Sequence, residues 1–208
     1  MASARREKRL LELQAEMAAE GRKMAVRAAD ATRPAEMESL AAETVRQFGR
    51  VDILVYATGT NTPDRSMRRL RPEIWDELIS TNLSGAYYAT AAVLPGMRAA
   101  KRGHLIYVSS ISGHTPDVSG AAYQASKRGL IGLAHAIRVE EKENGIRTTV
   151  VNPGLVDTEI LAKRPVVTPP ELVAVALLPE HVAEVVLSCA RLPERAVVTE
   201  ITVVPTAI

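Results

Sequence analysis

The 208 residues predict a single α/β domain built on a doubly wound parallel sheet. Short β-rich runs alternate with longer segments of helical periodicity, which is the order expected when helices join parallel strands. Several of these runs are continuously apolar, as strands covered on both faces are. The predicted strands span residues 24–29, 51–57, 104–109, 147–151 and 197–204.

Helical segments separate these strands. The first has an apolar side that runs from Leu10 to Met17, and the second begins near Pro34 and ends at Gly49. Gly145 is the expected C-terminal stop of the longest helix. The remaining helices are expected over roughly residues 72–100, 121–144 and 179–192.

Residues 157–178 follow the fourth predicted strand and contain three prolines, Pro165, Pro169 and Pro170. Their irregular pattern predicts a mobile excursion rather than a packed unit. In open α/β sheets, ligands bind beyond the carboxyl ends of the strands. The excursion is therefore expected to act as a substrate lid on the single domain formed by residues 1–208.

Composition and charge exclude several classes of protein. Lys and Arg number 26 against 24 for Asp and Glu, and aromatic residues make up 3%, which argues against a nucleic-acid partner. Charges interrupt every apolar stretch before the roughly 18 residues of a membrane span, and no apolar signal segment follows Met1. The single cysteine, Cys189, cannot form an internal disulfide, so a cytoplasmic location is expected. No metal site and no membrane partner are predicted.

The motif with the most chemical content is Tyr123-Gln-Ala-Ser-Lys127, inside the predicted helix 121–144. Its four-residue spacing puts the phenol and the ammonium on one face of the helix. A phenol has a pKa of about 10, and a neighbouring ammonium favours the phenolate, which moves that pKa toward the working range of a general acid–base. Taken alone, a tyrosine and a lysine at this spacing are also common on solvated helix faces.

Two further polar residues fall where an active site is expected. Ser110 closes the predicted strand 104–109 at its carboxyl end, where its hydroxyl could donate to a carbonyl oxygen or accept from the corresponding alcohol. Asn82 could hold a water for a proton path between the lysine and solvent. Each is also an ordinary residue for a strand end or a turn, but the ordered set of Asn82, Ser110, Tyr123 and Lys127 favours a catalytic site.

The sequence resembles the short-chain dehydrogenase/reductase family over essentially its whole length. The most specific parts are Ser-Ser-Ile-Ser-Gly at 109–113, Tyr-Gln-Ala-Ser-Lys at 123–127 and Asn-Pro-Gly-Leu-Val-Asp-Thr at 152–158. The resemblance implies a Rossmann-like fold and an oxidoreductase that moves a hydride between NADP(H) or NAD(H) and a small alcohol or carbonyl substrate. The catalytic roles it implies are the acid–base for Tyr123, pKa lowering and ribose binding for Lys127, carbonyl orientation for Ser110 and the proton relay for Asn82.

The same resemblance implies the residues that contact the cofactor. Gly59 is what remains of the family's Asn-Asn-Ala-Gly run, which here is Tyr-Ala-Thr-Gly at 56–59. Arg5 and Arg6 lie where the family often binds a 2′-phosphate, so NADP is the expected cofactor and NAD the alternative. The other implied contacts are Asp30 and Ala31 at the adenine, Tyr123 and Lys127 at the ribose, and Pro153, Gly154, Val156 and Thr158 on the nicotinamide side.

One part of the family pattern has no counterpart. The family begins with a strand, a glycine-rich turn, a helix and a second strand, whereas residues 3–9 here align just after that second strand. None of the 12 glycines forms a G-x-x-x-G-x-G pattern. The sequence therefore predicts a sheet without its first two strands, in which the 24–29 strand is either next to 51–57 or displaced across a gap. For these 208 residues alone, weak dinucleotide binding and little or no activity are expected.

These observations leave a second function open, that of a catalytically silent relative that acts as a subunit or interaction protein. Dinucleotide binding distinguishes it from the oxidoreductase. The region 72–100 and the Tyr123 helix correspond to the helices through which the family usually dimerises, so a homodimer or homotetramer is expected. The apolar residues on which this expectation depends are Leu83, Ala86, Ala89, Leu94, Leu130, Leu133 and Ile137.

Overall fold

The computed structural model describes residues 1–207. In it, the chain forms two parallel sheets flanked by helices. The smaller sheet pairs β1 (Ala2–Ala4) with β2 (Val26–Ala28). The larger sheet contains β3 (Ile53–Tyr56), β4 (Gly103–Val108), β5 (Ile146–Pro153) and β6 (Glu200–Val203), paired in that order. Every pairing is parallel, which confirms the predicted α/β class.

All five predicted strands are present with bounds that differ by a few residues, and β1 is an additional one. Ser3 pairs with Arg27, and the Ala29 amide donates to the Ala4 carbonyl at 3.1 Å. Three small residues are too short a run for a strand pattern to be recognised, so the sequence did not reveal this strand. In residues 1–207, β2 is not hydrogen-bonded to β3. Of the two predicted arrangements, the strand beside 51–57 or displaced across a gap, the structure has the displaced one.

The helices connect and cover the strands: α1 (Glu7–Ala19), α2 (Pro34–Phe48), α3 (Pro72–Ile79), α4 (Gly85–Ala100), α5 (Ala121–Glu140), α6 (Pro170–Ala174) and α7 (Pro179–Ala190). As predicted, α2 begins at Pro34 and is stopped by Gly49, the residue after Phe48, whose φ of 83° suits a glycine. The apolar side of α1 is mostly uncovered. Leu10 is buried but Leu11 and Leu13 are exposed, because α1 packs mainly on the short strands β1 and β2.

The segment predicted as one helix over 72–100 is two helices joined by a π-helical turn at Ser80–Ser84. The wider turn carries Asn82 into the interior, and the Thr81 carbonyl accepts a hydrogen bond from the Tyr56 hydroxyl at 2.6 Å. Turns of this kind are frequent at functional sites.

The core lies between the four-stranded sheet and helices α2, α4 and α5. Strands β4 and β5 are buried almost throughout, as their continuous runs predicted. Leu105, Tyr107 and Val150 contribute the sheet side of this core, and Ala86 and Leu130 come from the helices. The Tyr107 hydroxyl is paired with the Thr90 hydroxyl at 2.8 Å, so its polar end is satisfied.

Residues 157–178 have more structure than predicted. They contain a 3₁₀ turn at Glu159–Lys163 and the short helix α6. An isolated parallel bridge joins Val156 to Leu177, with the Leu177 amide donating to the Leu155 carbonyl at 2.9 Å. Nothing in residues 1–207 forms a helix with the length and apolar character that crossing a bilayer requires.

His104 gives the fold a testable dependence on pH. The imidazole is buried, its Nε2 pairs with the Thr149 hydroxyl at 2.8 Å, and its Nδ1 has no partner in residues 1–207. Burial, and secondarily Arg147, lower the pKa of His104 from 6.5 to about 4. The unfolded chain therefore takes up this proton at a higher pH than the folded chain. The free energy of unfolding should fall by up to roughly 3 kcal/mol as pH drops from about 6.5 to 4.

Urea unfolding at several pH values, compared between wild type and His104→Gln, checks this expectation. The variant should lose most of the change between pH 6.5 and 4. His181→Gln, at an exposed histidine, is the control and should keep it. Equal pH dependence in wild type and His104→Gln would contradict the assignment.

Candidate active site

One cavity of about 1220 Å³ runs along the carboxyl ends of β3, β4 and β5. This is larger than the roughly 300–1,000 Å³ typical of small-ligand pockets. Ile53 and Val55, both more than 40% exposed, form one apolar wall, and Val182 and Val186 of α7 form another. The position at the strand ends is where open α/β sheets bind ligands.

Most of the residues predicted from the sequence line this cavity. Those that do are Arg6, Gly59, Ser110, Tyr123, Lys127, Pro153, Gly154, Val156 and Thr158. Four do not: Arg5, Asp30 and Ala31 lie outside the lining, and Asn82 is buried behind it. The fold therefore brings three of the four predicted catalytic residues together with the nicotinamide-side residues and leaves the predicted adenine contacts apart.

Lys127 is buried, and its ammonium donates to the Val108 carbonyl at 2.9 Å. Burial lowers the pKa of this group to about 8. A Cβ placed at Gly59 would lie 3.3 Å from the Lys127 Nζ and 3.7 Å from the Asn82 Oδ1. Gly59 thus allows its loop to pass close to the ammonium, which a larger residue would disturb.

Tyr123 lies one helical turn before Lys127, and the Lys127 Nζ is 5.8 Å from the centre of its ring. Burial is the main influence on the phenol and raises its pKa, and the Asp117 carboxylate acts in the same direction. The Ser110 hydroxyl and the guanidinium groups of Arg65 and Arg164 act in the opposite direction and favour the phenolate. The sequence had assigned that effect to Lys127, whereas in the structure two arginines contribute to it.

Ser110 is the N-cap of a 3₁₀ turn at Ile111–Gly113, where its Oγ accepts from the Ser112 amide at 3.1 Å. The Ser110 hydroxyl donates to the Ser112 Oγ, and that hydroxyl donates to Asp117 at 2.5 Å. Ser110 is therefore held at the strand end by its own turn, with its Oγ on the cavity wall.

Asn82 joins the loop after β3 to helix α5. Its Oδ1 accepts from the Thr60 amide at 2.7 Å, and its Nδ2 donates to the Thr60 carbonyl and to the Ser126 Oγ, both at 3.0 Å. The Ser126 hydroxyl donates in turn to the Tyr123 carbonyl at 2.8 Å. Asn82 is thus placed to fix the loop that carries Gly59 relative to Tyr123.

The predicted dinucleotide contacts near the N-terminus have other partners. The Asp30 carboxylate accepts hydrogen bonds from the Thr32 amide at 2.9 Å and from the Thr32 hydroxyl at 2.8 Å. The hydrogen bond from the Thr32 amide is the main cause of the lowered pKa of Asp30. Arg6 and Arg9 both pair with Glu159, at 2.8 and 2.5 Å, which ties the start of α1 to the segment 157–178.

Sequence reasoning missed Arg65, Asp117 and Arg164, which line the same cavity. Arg65 is one of several arginines in a short stretch of the chain, and no spacing separates it from its exposed neighbour Arg68. Only its burial in the folded structure sets it apart.

The model for the short chain dehydrogenase family matches residues 1–166, so the chain belongs to this family. It is 33% identical over 139 residues to an uncharacterized oxidoreductase of Staphylococcus saprophyticus, a match that covers 66% of this chain and 56% of that protein. It is 36% identical over 129 residues to the 3-oxoacyl-(acyl-carrier-protein) reductase of Escherichia coli, covering 62% and 52%. The matched region thus spans about half the length of these curated relatives.

A solved structure, that of a metagenomic short-chain oxidoreductase in complex with NADP, is also similar. The TM-score is 0.83 at 31% identity, and the match covers 98% of this chain and 84% of that one. The resemblance inferred from the motifs and the predicted Rossmann-like sheet are thereby confirmed.

Replacing Asn82 tests its role as the support of the site. Asn82→Ala would leave the buried Thr60 amide and carbonyl without their partner, so the free energy of unfolding should fall by about 2–4 kcal/mol. Ser126→Ala, which removes only one of the three bonds, should cost about 1 kcal/mol. Urea unfolding measures both, and an Asn82→Ala loss no larger than that of Ser126→Ala would contradict this role.

Proposed function

We propose that this chain is an NADP(H)-linked oxidoreductase that interconverts a small alcohol and its carbonyl. The observation that carries the proposal is that Ser110, Tyr123 and Lys127 face one cavity at the carboxyl ends of the central strands. Membership of the short chain dehydrogenase family and the similarity to an NADP complex support the reaction class and the cofactor.

The groups around the cavity fit the nicotinamide half of a dinucleotide, whereas the predicted adenine contacts lie outside the lining. Gly59 lets its loop pass close to the Lys127 ammonium, and a Cβ at Gly154 would lie only 3.1 Å from Val204, so both walls are closely packed. Arg6 is a cation at the rim of the cavity, where it forms an ion pair with Glu159. Both side chains of this pair are about 60% exposed, so the ion pair is weak and a phosphate can replace Glu159 as the partner of Arg6. We assign Lys127 to the ribose and Arg6 to a 2′-phosphate.

The reaction follows from the groups at the inner end of the cavity. A bound nicotinamide supplies the hydride for carbonyl reduction and accepts it in the reverse direction. When a substrate is bound, the Ser110 hydroxyl turns from the Ser112 Oγ and donates to the carbonyl oxygen, and Tyr123 gives the same oxygen its phenolic proton. The Arg65 and Arg164 guanidinium groups favour the phenolate that remains, and the Lys127 ammonium lies 5.8 Å from the centre of the phenol ring.

The proposed role of Asn82 is a positioning one. Its amide bonds go to Thr60 and Ser126, so it holds the Gly59 loop and the Tyr123 turn together. The water-mediated proton relay inferred from the sequence, the contacts of Asp30, Ala31 and Arg5, and the lid role of residues 157–178 stay predictions.

Assembly and location also stay proposals. We propose a homodimer or homotetramer formed through α4 and α5, where Tyr87 and Val139 expose more than half of their surface. The apolar residues that the sequence had assigned to the interface give it no support. Four are buried within the core of this chain, namely Ala86, Ala89, Leu130 and Ile137, and the other three are partly buried and pack against that core, namely Leu83, Leu94 and Leu133. The buried free thiol of Cys189 is compatible with the proposed cytoplasmic location.

A silent interaction protein is the second candidate. It is favoured by β3, which has a strand neighbour on only one side in residues 1–207 and exposes Ile53 and Val55. This alternative requires a folded chain that binds no nicotinamide nucleotide. The sequence predicts weak dinucleotide binding, which is intermediate between the binding required of the oxidoreductase and the absence of binding required of the silent protein. This also stays a prediction.

Tyr123→Phe tests the proposed reaction. The variant removes only the phenolic proton, so NADPH oxidation with any carbonyl that the wild type reduces should fall by at least about 100-fold. NADPH binding and thermal stability should be close to those of the wild type, because the ring and its packing are unchanged. Tyr88→Phe, a tyrosine of α4 outside the cavity lining, is the matched control and should retain turnover. Turnover of Tyr123→Phe within a few-fold of wild type would contradict the assignment.

A further inference from the structure

One end of the cavity, beside Tyr123, is basic. Arg65 and Arg164 both line it, and Arg65 is only 8% exposed. The Arg65 Nε donates to the Thr62 carbonyl at 2.9 Å, and its Nη2 donates to the Lys163 carbonyl at 2.7 Å. Both partners are neutral. Within residues 1–207, no carboxylate oxygen lies within 4.0 Å of an Arg65 guanidinium nitrogen, so Arg65 forms no ion pair there.

A buried guanidinium without a carboxylate partner is unfavourable, because buried charges are normally paired. Burial lowers the pKa of Arg65, and the neighbouring Arg164 lowers it further. The nearest acidic influence is Asp117, whose carboxylate already accepts hydrogen bonds from the hydroxyls of Ser112 and Ser119. Among the groups that influence Arg65, the two guanidinium charges exceed the charge of the one carboxylate, Asp117, which leaves an excess of positive charge beside Tyr123.

The fold fixes Arg65 relative to the phenol. Gly120, three residues before Tyr123, has a φ of 93°, and a Cβ there would lie 2.6 Å from the Arg65 Cβ and 2.7 Å from its carbonyl oxygen. Only a glycine permits this turn to pack against the Arg65 backbone. The start of α5 and Arg65 are therefore in direct contact, so the guanidinium and the phenol keep a defined separation.

We infer that the substrate carries a carboxylate, held by Arg65 and Arg164 while its hydroxyl or carbonyl group faces Tyr123 and Ser110. The substrate class is then a small hydroxy acid and the corresponding oxo acid. This rests on the proposed function, which it extends from alcohols in general to acids. Guanidinium groups bind carboxylates through two parallel hydrogen bonds, and the anion would neutralise the excess charge of the basic end.

Matched ligand pairs test the inference by binding rather than by turnover. The probes are 3-hydroxypropionate and 3-hydroxybutyrate, each compared with its neutral amide by calorimetry, with and without saturating NADP⁺. The wild type should bind at least one acid about tenfold or more tightly than its amide, as expected for charge-assisted hydrogen bonds. Arg65→Met, which keeps an unbranched apolar stem, should remove this preference.

Two further variants make the result specific. Arg164→Gln lies at a less buried position, should fold without difficulty and should reduce the preference even if Arg65→Met does not fold. Arg68→Gln removes an exposed arginine of the same chain segment outside the cavity and should leave the preference unchanged. No acid preference in either ligand pair, or an equal loss in Arg68→Gln, would overturn the inference.

The outcomes separate this inference from the proposed function. Acid-selective binding without any NADPH-linked turnover would retain the carboxylate site and reject the oxidoreductase. Turnover that is as fast on the amides as on the acids would retain the oxidoreductase and reject the carboxylate site.

Discussion

The site depends on the burial of one ammonium group. Lys127 is 4% exposed, and burial lowers its pKa to about 8, so its environment must compensate for a desolvated charge. The Val108 carbonyl at the end of β4 accepts from the ammonium, and the Ser109 hydroxyl donates to the Lys127 carbonyl at 2.9 Å. The strand end and helix α5 are therefore joined at the residue on which the proposed chemistry depends.

The need to accommodate a buried ammonium also determines which residues surround Lys127. The loop after β3 approaches the ammonium at Gly59, where a side chain would crowd it, and Asn82 holds that loop from behind. The π-helical turn between α3 and α4 brings Asn82 into the interior. The polar groups of three separate chain segments thus meet beneath the cavity, which leaves the cavity walls free for a ligand.

The sequence predicted the features that are set by residues close together in the chain, and it missed those that depend on residues far apart in the chain. The Tyr123–Lys127 pair is set by helical spacing alone, and β4 and β5 follow from continuous apolar runs, so both were predictable. Strand β1 has three small residues and exists through its pairing with β2. Arg65 is buried through contacts that include the Lys163 carbonyl, 98 residues along the chain, and local pattern carries no information at that distance.

Titration of the chain with NADPH, followed by nicotinamide fluorescence, tests most directly whether this cavity is a cofactor site that depends on Lys127. Wild type should give saturable binding, and Lys127→Met, an apolar replacement suited to a buried position, should weaken it by about tenfold or more. Lys142→Met, at an exposed lysine, should bind as the wild type does. Absence of saturable binding, or equal affinity in wild type and Lys127→Met, would contradict the proposed site.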